Sequence, residues 1–487
     1  MSSFRPSTTV IARQPTTGQT GAVGRLQRWL VGEGPAVLGL FILAVLLAGL
    51  YALIIRPWAQ PDEPRHFEVA LHVARLNKPR IEYADRVLAW EQEIIAAMEA
   101  ESFWWYGYTL VGWDPANLPD SFDDIFGQQY GLAFFQAPLY YYLAGQWLRL
   151  QPDLPFSEAV IRLRLLGLVC LIASLLAIYG LTRELFPHRP RLTLAVLMVA
   201  ALWPSHLAAN AAVNNDPLVE ALVAWALFLA VRIVRRGPGL FSLLWLLLLG
   251  LAAAQTKRSG LIVLVFLPLA PALWGLGQWR AARRGREPIA ALALAGGAIA
   301  ALLLALVVLR FGRLYLPEDF AQALMRGAYW QDMVQAPYGR FLAALLKTFM
   351  GWFGWMRVEL PTVLYGVGAI FWATGWLGFL AAWLRPRAPV LAGWQKRGLA
   401  LLVMALVLQL GLTVGKEIVF GTWRDGSLPQ ARYLYPVLAA LIVPPLWGWA
   451  RWWPQRWRSA ALIGGFLALL AFNAYVLAFL LYPFFWL

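Results

Sequence analysis

Charge is scarce in this chain. Only 14% of its 487 residues are charged, and the acids are the rarer kind, 26 Asp and Glu against 41 Lys and Arg. Cysteine occurs once, as Cys170 within an apolar run, so no intrachain disulfide can form and a thiolate site is not expected. The four histidines are too few and too scattered to make a metal cluster. His66 and His72 lie off a common helical face, which argues against a shared ion. No internal repeat is evident, which weakens a secondary-transporter reading, since many such folds are built from repeats.

What fills the chain instead is hydrocarbon. Hydrophobic residues make up 60% of it, with 26 tryptophans. Apolar runs of about 20 residues recur, the length that crosses a bilayer core. This excludes a soluble domain. The net charge of +15 does not point to nucleic acid, because the basic residues sit in short clusters between apolar runs. That is the pattern of basic cytoplasmic turns.

The fold expected is an all-α integral membrane protein, a bundle of about 11 transmembrane helices. A cytoplasmic N-terminal tail covers residues 1–34. The spans are expected near 35–55, 160–181, 191–209, 217–234, 239–255, 259–277, 288–310, 362–384, 398–414, 434–450 and 459–484. The large outer loops are 56–158, 311–361 and 415–433. Residues 35–361 are expected to form the first module, and 362–487 the C-terminal helices. The first loop is acidic, and its helices at 62–77, 85–101 and 138–150 should lie along the membrane surface. The last of these is too short to span and reads as re-entrant or interfacial.

The loop opens on Pro61-Asp62-Glu63-Pro64-Arg65-His66-Phe67-Glu68. Asp62 can be read as a helix N-cap, with Glu63 and Pro64 in the first turn. It can equally be read as a catalytic carboxylate at the lip of a membrane cavity. His66 follows one turn later and could line the same cleft. Topology places other charges on that outer face: Asp216 in Asn214-Asn215-Asp216-Pro217, then Lys257 and Arg258, Arg357 beside an aromatic run, and Arg432 in Gln430-Ala431-Arg432-Tyr433. Asp216 could be an N-cap, and Lys257 and Arg258 could anchor a helix end at the headgroups. Together, acids and bases on one surface suit transfer from a lipid-linked phosphate. Cations would hold the phosphate, a carboxylate would take the acceptor's proton, and aromatic faces would stack on sugars.

These motifs resemble the GT-C superfamily of membrane glycosyltransferases, which includes the protein O-mannosyltransferases and the lipid A aminoarabinose transferase. Asp62-Glu63 resembles the acidic motif after the first span, and Asn215-Asp216 the second acidic position. Gln136-Ala137-Pro138-Leu139-Tyr140-Tyr141 looks like a His-Pro-Pro-Leu-Tyr-Tyr-type element, with Gln136-Ala137 departing from it. The order of motifs is most similar to a bacterial branch of predicted polytopic membrane proteins within the superfamily. The resemblance implies a polyprenyl-phosphate sugar donor, an extracytoplasmic envelope acceptor and inversion at the anomeric carbon. It implies Asp62 as the base, with Glu63 and Asp216 beside it. His66, Asn214, Asn215, Lys257, Arg258, Arg357, Gln430, Arg432 and Tyr433 become substrate contacts. It leaves metal dependence open: a divalent ion would have to draw on Asp62, Glu63 and Asp216. The cellular place implied is the inner or plasma membrane, with the N-terminus cytoplasmic.

Two other readings remain at this point. One is a lipid or glycan transporter without chemistry, which would carry charges in mid-span; the spans here gather theirs at the ends. The other is an assembly subunit of a membrane complex that docks through the acidic loop.

Overall fold

The computed structural model describes residues 32–106, 118–126, 136–282, 328–384, 391–419, 422–426 and 428–487. The expected tail, the expected span at 288–310 and the first part of the loop at 311–361 lie outside the described residues.

The described chain is a helical membrane protein. Its longer helices are α1 Gly34–Ile54, α2 Glu63–Leu76, α3 Leu88–Ala100, α4 Leu139–Arg149 and α5 Phe156–Leu185. Then come α6 Pro190–Leu202, α7 Pro204–Asn210, α8 Asp216–Arg236, α9 Leu240–Ala254 and α10 Ile262–Ala282. The second half holds α11 Tyr338–Gly351, α12 Thr362–Leu384, α13 Gly393–Val419, α14 Leu438–Trp452 and α15 Arg458–Tyr475. By length and composition, 8 helical stretches can cross a membrane, or 9 if one bent pair counts as a span, among the described residues. The 21 residues of α1 reach about 31 Å at the α-helical rise, enough for the hydrocarbon core. Its Val37, Ala44 and Ala48 are buried, while Leu38, Ile42 and Leu46 stay exposed. A helix apolar all round, buried on one side only, suits a lipid boundary.

Two spans differ from the expectation. The run at 191–209 is not straight: α6 and α7 meet at 57°. Pro204 removes a backbone donor and pushes Trp203 to extended geometry, φ −77° and ψ 117°. The run at 239–255 yields α9, whose 15 residues reach about 22 Å, short of a full crossing.

Close contacts come from small residues. A Cβ on Gly448 of α14 would lie 2.1 Å from the Gly375 carbonyl oxygen of α12, so these helices pack backbone to backbone. A Cβ on Gly167 of α5 would lie 2.1 Å from the Asn210 carbonyl oxygen at the end of α7.

The first loop packs as a second apolar layer at one end of the bundle. Phe67, Ile94, Met98, Phe103, Tyr140, Tyr141 and Leu163 share that cluster. At α4 the Leu139 N–H donates to the Gln255 carbonyl 2.8 Å away, so this short helix is seated on the end of α9. Residues 352–359 form a small antiparallel hairpin, Trp352 opposite Glu359, on the same end.

Candidate active site

The site is assembled around one buried arginine. Arg164, at the start of α5, has no exposed side-chain surface. Its Nε and Nη2 donate to the two Glu63 oxygens at 2.9 and 2.7 Å. Its Nη1 donates to the carbonyls of Ala52 and Ile55, each at 2.6 Å. Nη2 also donates to the Arg56 carbonyl at 2.9 Å. All five N–H donors of the guanidinium are thus used. The Ala52 carbonyl is an orphan of the last turn of α1, and Ile55 and Arg56 follow directly after it, so Arg164 caps the end of that helix while it holds Glu63. Glu63 also accepts the Val213 N–H at 3.0 Å. One ion pair therefore ties the end of α1, the start of α2, the 210–216 segment and α5.

That arrangement separates the two adjacent acids. Glu63 is buried and committed to Arg164. Asp62 stands in the left-handed region, φ 65° and ψ 2°, and makes no capping hydrogen bond to α2. Such a backbone is uncommon for a residue other than glycine and is held by its surroundings. The carboxylate of Asp62 instead pairs with Nη2 of Arg432, 370 residues away. Arg432 Nη1 also donates to the Pro61 carbonyl at 3.3 Å. Burial would raise the Asp62 pKa, but the Arg432 charge and hydrogen bond outweigh it and hold the carboxyl well below the usual carboxylate range.

Asp216 begins α8 and likewise does not serve as a side-chain cap. Its carboxylate pairs with the Lys257 ammonium, and its other oxygen lies 3.9 Å from Arg432 Nε. Its own N–H donates to Asn214 Oδ1 at 2.7 Å. Asp62, Arg432, Asp216 and Lys257 thus form a continuous run of alternating charge. Each comes from the end of a different helical stretch.

Tyr433 stands beside that run. Lys257 Nζ and Lys416 Nζ each lie 4.9 Å from its ring centroid, and the Arg432 guanidinium carbon lies 5.1 Å away. The negative face of an aromatic ring attracts cations at this range. The Gln409 amide donates to the Tyr433 carbonyl at 2.6 Å and fixes its backbone to α13. Lys416 was not among the residues expected from sequence. It lies in the last turn of an apolar helix, where a lysine reads as a headgroup anchor.

A polar chain lines the other side. Asn215 Nδ2 donates to Gln136 Oε1 at 2.6 Å and to the Thr256 carbonyl at 3.3 Å. The Tyr141 hydroxyl donates to the same Gln136 oxygen at 3.2 Å and lies 2.7 Å from His66 Nδ1. Gln136, the departure from the His-Pro-Pro pattern, is therefore the joint between the first loop and the 214–216 segment. Burial pushes the His66 imidazole down to about 4, against the pull of Asp62. His66 is neutral near pH 7.

Beside Arg432 lies a small cleft of about 50 Å³, open to solvent. Gln60, Asn214, Trp352, Gln430 and Arg432 line it, with Ala208, Ala209 and Ala212 as a smooth wall. Arg258 and Arg357, expected as substrate contacts, are both exposed, the first on a 3₁₀ turn and the second on the hairpin turn.

The three acids named as a metal set do not converge. Glu63 is taken by Arg164 and the Val213 N–H, and Asp62 and Asp216 are each held by a cation. Among the described residues no group of three His, Cys, Asp or Glu side chains could hold an ion. As they stand, these residues do not fit a divalent cation.

No family model and no curated protein matches the sequence. Among solved structures the chain is similar to the oligosaccharyltransferase of Archaeoglobus fulgidus. The structure in complex with Zn and sulfate is 13% identical with a TM-score of 0.44, covering 89% of this chain and 52% of that one. The apo form is 13% identical with a TM-score of 0.46, covering 94% and 56%. The form tethered to an acceptor peptide containing the NVT sequon is 14% identical with a TM-score of 0.44, covering 94% and 55%. The chain thus spans about half the length of the solved structures it matches.

Proposed function

We propose that the chain is a membrane glycosyltransferase that moves a sugar from a polyprenyl-phosphate donor to an extracytoplasmic acceptor of the cell envelope, a glycan, lipid or protein. The observation that carries this reading is the convergence of Asp62 and Asp216 with Arg432, Lys257 and Lys416 around Tyr433, at one end of a membrane bundle. The cations take the donor phosphate and stabilise the charge that grows on it as it leaves. Asp62 accepts the proton of the acceptor hydroxyl as its oxygen attacks the anomeric carbon, which inverts. Asn215, Gln136, Tyr141 and His66 hold the floor of the site, and the small cleft beside Arg432 opens it to solvent.

In this reading the site faces away from the cytoplasm, the N-terminus is cytoplasmic and the membrane is the inner or plasma membrane of a bacterial cell. Residues 35–361 serve as the catalytic module and 362–487 as its C-terminal helices. Arg432 and Lys416, from that second part, complete the first.

The test is direct. Purified protein in lipid is offered a panel of polyprenyl-phosphate sugars labelled in the sugar. Release of polyprenyl phosphate together with label on an envelope acceptor or water supports the reading. No turnover of any donor, by folded protein given native envelope acceptors, counts against it in favour of a transport or assembly role.

A further inference from the structure

Two arginines in this site hold carboxylates, and they do so differently. Arg164 is sealed, with every donor satisfied. Arg432 is not: its Nε is buried, lacks a hydrogen-bond partner and stands 3.9 Å from Asp216. It also lines the open cleft, and the Asp62 side chain keeps 34% of its surface exposed. A ligand can therefore reach the pair from solvent.

We infer that Arg432 is a removable cap on Asp62, drawn off by the phosphate of the incoming donor. This rests on the function proposed above. A carboxylate held by a guanidinium is a poor proton acceptor, because the charge pair stabilises its ionised form. The donor's phosphodiester offers Arg432 two equivalent anionic oxygens, a bidentate partner, next to Lys257 and Lys416 on the same tyrosine ring. When the guanidinium turns to it, Asp62 is left free. The carboxylate does not follow, because the left-handed backbone at Asp62 and the Glu63–Arg164 weld fix its root.

The step then balances without a further reactant. The acceptor oxygen bonds to the anomeric carbon, the bond from that carbon to the phosphate oxygen breaks, and the electron pair leaves with polyprenyl phosphate. The acceptor proton passes to Asp62 and from there to water. Return of Arg432 to Asp62 accompanies departure of the lipid phosphate. Before donor binds, the base is blocked, which protects the site from idle chemistry and orders the substrates, donor first.

The experiment measures binding of radiolabelled polyprenyl monophosphate to the full chain in mixed micelles. Wild type is compared with Asp62→Asn, Arg432→Gln and the double variant. Losing a charge-assisted competitor for Arg432 should tighten binding by Asp62→Asn about tenfold, although that variant is inactive. In the Arg432→Gln background the same change should give no gain. Equal tightening in both backgrounds would mean that only charge repulsion was relieved, and no tightening would mean that Arg432 stays in place; either overturns the cap.

A second measurement needs no variant. The acid limb of kcat at saturating donor should lie at higher pH than the acid limb of kcat/KM for donor, because only the free enzyme has Asp62 capped. Coincident limbs overturn the inference while leaving transfer itself intact. Failure of wild type both to bind the lipid phosphate and to transfer sugar would remove the proposed function together with the cap.

Discussion

Arg164 and Glu63 form a bidentate ion pair, at 2.9 and 2.7 Å, in which neither side chain has any exposed surface. They flank the first loop, Glu63 near its start and Arg164 in the helix that follows it, 101 residues apart. Removing one partner of such a pair leaves a buried charge, which costs about 3–5 kcal/mol. Glu63→Ala should therefore lower the thermal unfolding midpoint in detergent and reduce the yield of folded protein. A Glu63→Ala protein as stable as wild type, yet inactive, would instead make Glu63 a participant in chemistry.

The pH dependence has a defined sign. His66 is lowered from an ordinary value of 6.5 to about 4, first by burial. Between those values the unfolded chain binds more protons than the folded one, so stability rises with pH across this window. His66 thus contributes a loss of stability as pH falls from 6.5 toward 4. Replacing it by Gln should flatten that part of the stability curve, measured by denaturation at a series of pH values. Asp62 acts in the same sense at lower pH, since its folded pKa is also depressed.

Gly167 supports the site through space alone. Its Cα faces the Asn210 carbonyl so closely that a Cβ would stand 2.1 Å from that oxygen. Gly167→Val should force α5 away from the end of α7 and displace the segment carrying Asn214, Asn215 and Asp216. Transfer should fall at least tenfold, a misplacement of about 1 Å being enough for larger losses. The check is the transfer rate of folded Gly167→Val; a rate equal to wild type would show that the segment tolerates the shift.

Much of the fold was open to sequence reading, because span length and basic clusters are coarse signals that hydrocarbon enforces. Residues 362–384 emerge as α12, Thr362–Leu384, and the short apolar run at 138–150 emerges as α4, seated on α9 rather than crossing. Asp62, Asp216, Lys257 and Arg432 meet because each ends or begins a helical stretch at the same end of the bundle. Finer placement was not legible. Adjacent acids read alike in sequence, and only the left-handed turn at Asp62 sends one to Arg432 and the other to Arg164. Arg164 itself, near the start of an apolar helix, looks like an arginine reaching for headgroups. Pro204 carried the signal for the broken helix, but a proline inside an apolar run is also compatible with a mild kink.

Tyr433 stands among three cations, each within about 5 Å of its ring centroid. Tyr433→Phe should change donor KM little. Tyr433→Leu should raise it about tenfold with a smaller effect on kcat, since each cation–π contact is worth about 0.5–2 kcal/mol. Steady-state kinetics with varied donor separates the two. Equal effects of Phe and Leu would assign the role to the hydroxyl, which lies 3.2 Å from Arg432 Nη2.

The most direct test of the central claim is sugar transfer from labelled polyprenyl-phosphate donors in membranes holding wild type beside Asp62→Asn. Label that moves to acceptor or water with wild type, and drops at least a hundredfold with a folded Asp62→Asn protein, is the result expected of a general base. Transfer by Asp62→Asn at the wild-type rate would contradict it.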